Sequence, residues 1–154
     1  MTNKKGEPIL TQEDINEEVK QRLKKYNNLN FFERFALYMG VIQLLEFELK
    51  KLLVDKFKYK FETIEEWPMG RVYTELKKKK LRPDFLLILK NTKDNRNYIT
   101  HEMVANRIVF LDVMRGKIPE NHYDKESRRL DKFIIELEQL IIVFNWLNEN
   151  NGWD

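Results

Sequence analysis

Residues 31–57 have the sequence FFERFALYMGVIQLLEFELKKLLVDKF, which predicts a long amphipathic helix. Large apolar side chains recur there at intervals of three and four residues, as they do along one face of an α-helix. These side chains are Phe35, Tyr38, Ile42, Leu45, Leu49 and Leu52. The segment also has a typical helix start, because Asn30 is a favoured N-capping residue and the acidic Glu33 follows three positions later.

The two ends of the sequence predict further helices from the same spacing. Thr11 and Asp14 resemble a capping box, and apolar residues at helical intervals follow, so a first helix is expected over residues 12–27. Near the other end, large apolar residues recur with the helical period and predict a helix over residues 125–149. The segment before it, residues 116–127, contains glycine, proline and many charges, so we expect an exposed connector there.

The middle of the chain has a less regular pattern. A third, shorter helix is expected between Pro68 and Arg82, because proline suits a helix start and disfavours helix in the residue before it. Residues 85–89 form a continuous apolar run that suits a buried strand or a short helix, and their helical neighbours favour a helix. Thr92 or Asp94 is then expected to cap a separate helix that ends at the glycine-containing connector.

Together these patterns predict an all-α fold. We expect a single domain over residues 1–154, built as a helical bundle with two or three long antiparallel helices and shorter connecting helices. A chain of 154 residues suits one hydrophobic core, since a second core would leave too little apolar surface for either. Residues 1–10 are expected to be flexible.

The composition excludes several classes of protein and site. There is no apolar run of about 18 residues and no hydrophobic signal region, so we expect a cytoplasmic protein without a membrane-spanning helix. The absence of cysteine excludes disulfides, thiolate zinc sites and cysteine nucleophiles. With only two histidines, a histidine-rich metal site is not indicated, and we expect neither a metal nor another cofactor.

Three residues stand out for their chemistry: Arg96, Asn97 and His101. On an α-helix Asn97 and His101 share one face, whereas Arg96 lies about 140° around the axis from His101, a gap that a long arginine side chain can close. Near the expected helix start, free backbone N–H groups also favour a bound anion. An imidazole can exchange a proton near neutral pH, and a guanidinium can stabilise charge on a phosphoryl oxygen. The three residues are therefore a minimal set for metal-independent RNA cleavage, with His101 as general base or acid.

A block of basic residues precedes this group in the sequence. One interpretation is a solvated helix end, where cations oppose the negative end of the helix dipole. The other is a surface that binds RNA phosphates, which the neighbouring arginine and histidine favour. The candidate RNA-binding residues are Lys77, Lys78, Lys79, Lys80, Arg82 and Lys93.

The stretch Arg96-Asn97-Tyr98-Ile99-Thr100-His101 resembles the Arg-Asn-x-x-x-His signature of HEPN domains, which are helical domains of many prokaryotic toxins and antiviral defence ribonucleases. The position is also similar, because the family motif follows a long amphipathic helix like the one over residues 31–57. The resemblance implies a homodimer whose two motifs face one cleft, and metal-independent endoribonuclease activity through the RNA 2′-hydroxyl. Arg96 and His101 would carry this activity, with support from Asn97.

HEPN proteins often add an acidic residue from an earlier helix, and Glu46 is the candidate here. The heptad count places Glu46 on the apolar flank of its helix, where it can be partly buried and pair with Arg96. The alternative is a solvated helix acid. One departure from the family is Met103, which stands where toxin members often carry tyrosine, two residues after the histidine.

Two other functions stay open from the sequence. Some HEPN domains lack nuclease activity, so the chain could be a non-catalytic dimerisation module that binds RNA, a nucleotide or a protein partner. It could also be an antitoxin or immunity subunit that binds a toxin, or it could itself bind an antitoxin. Four further residues are candidates for substrate contacts: His122, Trp67, Trp146 and Trp153. A simpler interpretation is that His122 faces solvent and that Trp67 and Trp146 pack against helices.

Overall fold

The computed structural model describes residues 10–115 and 124–154, and all regular secondary structure within these ranges is helical, as predicted. Residues 1–9, which belong to the segment expected to be flexible, lie outside the described residues. The described helices are α1 (Gln12–Leu23), α2 (Phe31–Phe57), α3 (Phe61–Ile64), α4 (Met69–Lys78), α5 (Pro83–Tyr98), α6 (Val104–Val113) and α7 (Lys125–Glu149). A 3₁₀ turn (Lys24–Tyr26) follows α1, and a π turn (Ile99–Met103) joins α5 to α6.

Helix α2 has the predicted bounds, and local hydrogen bonds explain both ends. At its start, the Asn30 side chain accepts from the Glu33 N–H at 2.9 Å, and the Glu33 carboxylate accepts from the Asn30 N–H at 3.1 Å. This reciprocal pair satisfies two backbone donors that the helix leaves free. At its end, Lys58 adopts the left-handed conformation with φ of 62°, and its N–H bonds to carbonyls of the last turn.

The core lies around α7, which packs against α1, α2 and α5. Its buried apolar residues occur at helical spacing from Leu130 to Leu147, about five turns, so the helix contributes one continuous stripe to the core. Members of that stripe with no more than 2 % exposure are Leu130, Ile134, Leu137, Leu140, Val143 and Leu147.

The predicted break near Thr92 and Asp94 is wrong, because α5 continues through both residues. Thr92 is only 1 % exposed and continues the buried stripe that Phe85 and Leu89 begin at intervals of four and three residues. The apolar run at residues 85–89 and the later segment therefore belong to one helix. Packing of this stripe against the core outweighs the weak tendency of threonine and aspartate to start a new helix.

The prediction of an exposed connector over residues 116–127 is also wrong for the C-terminal end of that segment. Residues 116–123 lie outside the described part of the chain, but Asp124, Glu126 and Ser127 are all buried. The Asp124 side chain accepts a hydrogen bond from the Ser127 N–H at 2.9 Å and so caps the start of α7.

Helix α6 differs from the others because none of its residues is buried. Its large apolar side chains face solvent: Ile108 (55 % exposed), Val109 (61 %), Leu111 (40 %) and Val113 (70 %). No helix in the described part of the chain is long and apolar enough to cross a membrane. This uncovered apolar helix follows directly from the π turn.

A buried carboxylate ties α1 to α7. Glu138 of α7 has no exposed surface, and it accepts hydrogen bonds from the Arg22 Nε at 2.6 Å and the Tyr26 hydroxyl at 3.2 Å. Lys25 forms an ion pair with Oε1, the oxygen that also accepts from Tyr26, while Arg22 binds Oε2. Burial of an acid is costly, so these three donors are needed to offset the loss of hydration.

We expect Glu138→Gln to lower the free energy of unfolding by about 2–3 kcal/mol, because a neutral amide cannot balance two cations and must direct its N–H₂ toward a donor. Urea denaturation measures this loss. The matched control is Glu18→Gln, which removes an exposed acid from α1 and should leave the midpoint unchanged. Equal midpoints for the two variants would contradict the role assigned to Glu138.

Candidate active site

Arg96 lies in the last turn of α5, and His101 lies five residues later within the π turn. Both residues were predicted to lie near a helix start, and this prediction is wrong. Backbone N–H groups are free only in the first turn of a helix, so the anion site expected from the helix dipole is not available at Arg96. Any phosphate binding here has to come from side chains.

The π turn changes the angle between Arg96 and His101. In a regular α-helix residues five apart are separated by about 140° around the axis. A π turn is wider and pairs residues five apart in its hydrogen bonds, which reduces that angle. The side chain of Thr100 also donates to the Arg96 carbonyl at 2.9 Å within this segment. The Arg-x₄-His spacing is therefore better aligned on this backbone than on a straight α-helix.

Arg96 forms an ion pair with Glu46 of α2. The Arg96 Nε and the Glu46 Oε1 are 2.8 Å apart, and the two side chains are 25 % and 15 % exposed. Neither atom has an aligned hydrogen-bond partner among the described residues, so the contact is an ion pair without a hydrogen bond. The predicted pairing of Glu46 with Arg96 is thus present, and the catalytic roles of both residues stay predictions.

The inner side of Arg96 faces a buried polar layer formed by three helices. Tyr38 of α2 is fully buried, and its pKa is raised, first by burial and then by Glu136, while Arg96 opposes the shift. Asn95, next to Arg96, donates a hydrogen bond to Glu136 of α7. These contacts place the guanidinium between a rigid interior and the surface.

The outer side of the site is open to solvent. Asn97, Thr100 and His101 are all exposed on α5 and the π turn, while Ile99 and Met103 bury the opposite face of that turn. The arrangement combines a partly buried guanidinium, held by a carboxylate, with an accessible imidazole. Such a pair can bind a phosphate and exchange a proton with a ligand on the same surface.

Most of the basic block lies far from this site, and only Lys93 is close to it. Lys77 to Lys80 are exposed at the end of α4, and the rise of α5 places the helix start beside them about 20 Å from Arg96. Arg82 is engaged structurally, since it binds the Asp84 carboxylate through two nitrogens at 2.7 and 2.8 Å and the Gly152 carbonyl at 3.1 Å. Lys93 lies one turn from Arg96 and pairs with Asp94 at 3.3 Å.

The aromatic candidates pack within the protein. Trp153 is 2 % exposed, and its ring centre lies 5.0 Å from that of Phe85. The interpretation that Trp153 stacks on an RNA base is therefore wrong. Trp67 and Trp146 are partly buried against the core, which confirms the packing interpretation. His122 lies outside the described residues.

Sequence reasoning missed a polar cluster beside the π turn. It consists of Tyr98, Asn106, Glu126 and Arg129, and we call it the Tyr98 cluster. The Tyr98 hydroxyl lies 3.0 and 2.9 Å from the two carboxylate oxygens of Glu126, which is buried in the first turn of α7. The only sequence signal was the position of Tyr98 inside the Arg-Asn-x-x-x-His motif, because its partners are distant along the chain.

Comparison of the chain with family models, curated proteins and solved structures gave no match. Among the described residues, no group of three or more histidine, aspartate or glutamate side chains is arranged to hold a metal ion. The function of the chain is therefore inferred from the residues around Arg96 and His101.

We expect a double-mutant cycle of Glu46→Gln and Arg96→Gln to give a coupling energy of about 1–2 kcal/mol, because the ion pair is mostly removed from water. The free energies of unfolding come from urea denaturation of the single and double variants. The exposed pair Glu17 and Lys20, 3.8 Å apart on α1, provides a control cycle with little coupling. Additive effects at positions 46 and 96 would mean that the pair does not form in solution.

Proposed function

We propose that this chain is a metal-independent endoribonuclease of the HEPN type, acting in toxin–antitoxin or antiviral defence systems. The observation that carries the proposal is the Arg96–Glu46 ion pair at the end of α5, five residues before the exposed His101 on the π turn. An ion pair that fixes a guanidinium before substrate binds reduces the reorganisation needed when charge develops on phosphate. The Arg-Asn-x-x-x-His resemblance supports the same assignment.

The proposed chemistry needs a base, an acid and a charge-stabilising group. His101 removes the proton from the RNA 2′-hydroxyl, and that oxygen attacks the adjacent phosphorus. Arg96 stabilises the negative charge on the phosphoryl oxygens, and Asn97 orients the phosphate or the imidazole. The bond from phosphorus to the 5′-oxygen then breaks, and an imidazolium protonates the leaving oxygen. The products are a 2′,3′-cyclic phosphate and a 5′-hydroxyl.

A homodimer would supply the second histidine. The reaction uses both a base and an acid, and a dimer with two facing sites would bring two copies of His101 to one cleft. Helix α6 begins at the π turn and exposes four large apolar side chains that the described part of the chain does not cover. Exposed apolar surface next to a site is typical of an interface, so these residues support a dimer with two facing copies of His101.

The lysines at the end of α4 would contact RNA away from the cut. Lys77 to Lys80 are exposed and lie about 20 Å from Arg96 along α5, which is a distance of several nucleotides. Lys93 would act closer to the scissile phosphate, although it also pairs with Asp94. The lysines at the end of α4 therefore contribute to affinity for RNA and its salt dependence, rather than to the chemical step.

A non-catalytic dimerisation module is the second candidate. The exposed apolar residues of α6 favour it directly, because they suit a helix that binds a second copy, an antitoxin or another protein partner whether or not RNA is cut. Only the ribonuclease function requires Arg96 and His101; a dimerisation module does not.

We expect the purified protein to cleave RNA in the presence of EDTA, and Arg96→Ala and His101→Ala each to lower the rate at least about 100-fold. Cleavage of an end-labelled oligonucleotide measures the rate, and mass spectrometry identifies the 2′,3′-cyclic phosphate. Replacing the 2′-hydroxyl at the cut by a 2′-methoxy group should abolish the reaction, because the attacking oxygen can no longer lose a proton.

Two control variants separate this effect from general loss of charge. Arg115→Ala removes an exposed arginine after α6, and His122→Ala removes the other histidine of the sequence, and both should retain the wild-type rate. If folded wild-type protein binds a partner and cuts no RNA, the module function replaces the enzyme function.

We expect the double variant Val109→Glu/Val113→Glu to convert a dimer into a monomer and to lower cleavage in parallel, because two charges would be buried in the α6 interface. Light scattering at micromolar concentration measures the mass. The control is Leu87→Glu, which alters a residue of similar exposure (68 %) near the other end of α5. A wild-type monomer would remove the shared cleft from the proposal.

A further inference from the structure

The π turn that carries His101 has few contacts of its own on the exposed side. Its buried residues, Ile99 and Met103, fix the inner face, whereas His101 itself is exposed. A π turn is a rare, locally less stable backbone form that persists where surrounding contacts hold it. The direction of the His101 imidazole therefore depends on contacts made immediately before and after the turn.

The Tyr98 cluster supplies these contacts. Tyr98 is the last residue of α5, and Asn106, eight residues later in α6, donates to the Tyr98 hydroxyl at 3.2 Å. This hydrogen bond spans the whole π turn. It connects the helix before the turn to the helix after it, so the two cannot rotate freely about the turn.

The start of α7 anchors the same hydroxyl. The Tyr98 O–H donates to the Glu126 carboxylate, while Arg129 donates to the Tyr98 oxygen and, at 3.1 Å, to a Glu126 oxygen. The Arg129 guanidinium also lies 4.6 Å from the Tyr98 ring centre, and Phe133 packs edge-on at 6.0 Å. Burial raises the pKa of Tyr98; the hydrogen bond from Asn106 opposes this shift, and the Glu126 carboxylate adds to it, so the hydroxyl keeps its proton and donates.

A second contact holds α6 just beyond the cluster. Arg107 pairs with Asp124, the capping residue of α7, and donates to the Ser127 hydroxyl at 3.1 Å. Its guanidinium lies 4.3 Å from the Phe31 ring centre at the start of α2. The first turn of α7 thus binds the chain on both sides of the π turn.

We propose that Tyr98 and Glu126 are positioning residues for His101: their hydrogen bond holds the π turn in place and sets the direction of the imidazole. The inference rests on the proposed RNA cleavage for its catalytic consequence. Neither residue acts on the phosphate. Each acts through the backbone of residues 99–103.

The first experiment measures the order of the π turn and the surroundings of His101 in the absence of RNA. Tyr98→Phe removes only the hydroxyl and keeps the ring against Arg129 and Phe133. We expect amide hydrogen exchange in residues 99–104 to become about tenfold faster, in line with the loss of a hydrogen bond to a charged group. The His101 imidazole signals should shift in NMR spectra, with His122→Gln used to assign the two histidines.

The matched control is Tyr59→Phe. The Tyr59 hydroxyl donates to Glu75 at 2.8 Å, so this variant loses the same kind of tyrosine–carboxylate hydrogen bond, here between the segment after α2 and α4, away from the π turn. It should leave exchange in residues 99–104 and the His101 signals unchanged. If Tyr98→Phe also leaves them unchanged, or if both variants alter them equally, the inference is overturned.

The second experiment measures the catalytic consequence. Tyr98→Phe should lower kcat for RNA cleavage about tenfold and change KM less than twofold, while Tyr59→Phe retains both values. Glu126→Gln keeps an oxygen acceptor for Tyr98 and should retain more activity than Glu126→Ala. If wild-type protein cuts no RNA, the proposed function fails, and the exchange and NMR results still decide whether Tyr98 positions His101. Equal kcat for Tyr98→Phe and wild type would overturn the catalytic part.

Discussion

Acidic side chains on α7, of which Glu126 and Glu138 are buried and Asp131 and Glu136 partly exposed, help to place α1, α2 and α5. A carboxylate removed from water without a partner costs several kcal/mol, so the two buried acids are compatible only with an arrangement that brings a donor to each. The apolar stripe of α7 would by itself tolerate small rotations of its neighbours, but paired polar groups would not. The pairs are Arg22 with Glu138 from α1, Arg34 with Asp131 from α2, and Asn95 with Glu136 and Tyr98 with Glu126 from α5.

The candidate site follows from that placement. Two of the pairs join α7 to α5 at Asn95 and Tyr98, which lie immediately before Arg96 and immediately before the π turn. Helix α7 therefore sets where α5 lies, and Glu46 on α2 balances the charge of Arg96. Three helices that are distant in sequence thus fix the position of Arg96, which lies five residues before the exposed His101.

The sequence predicts the parts of this structure that depend on local pattern. The capping pair at Asn30 and the apolar spacing of α2 were sufficient for its bounds. The position of Glu46 on the helix flank allowed either a solvated acid or a partner of Arg96, and only the placement of α5 beside α2 decides for the pair. The continuity of α5 was missed because Thr92 is a capping residue type that tertiary packing overrides. The π turn has no local signature, and Glu126 reads as a surface acid until the Tyr98 hydroxyl is placed beside it.

The position of Trp153 has a practical consequence. Its indole is enclosed by Phe85 and Phe144, with ring centres 5.0 and 5.4 Å away, and its carbonyl accepts a hydrogen bond from the Arg82 N–H. Indole emission shifts to longer wavelength when water reaches the ring. The difference in emission between the wild-type protein and Trp153→Phe is thus an intrinsic optical probe of the contact between the end of α7 and the start of α5. That contact lies about 20 Å from Arg96, at the same end of α5 as Lys77 to Lys80, so the probe reports on this end of the helix and not on the residues proposed for the chemical step.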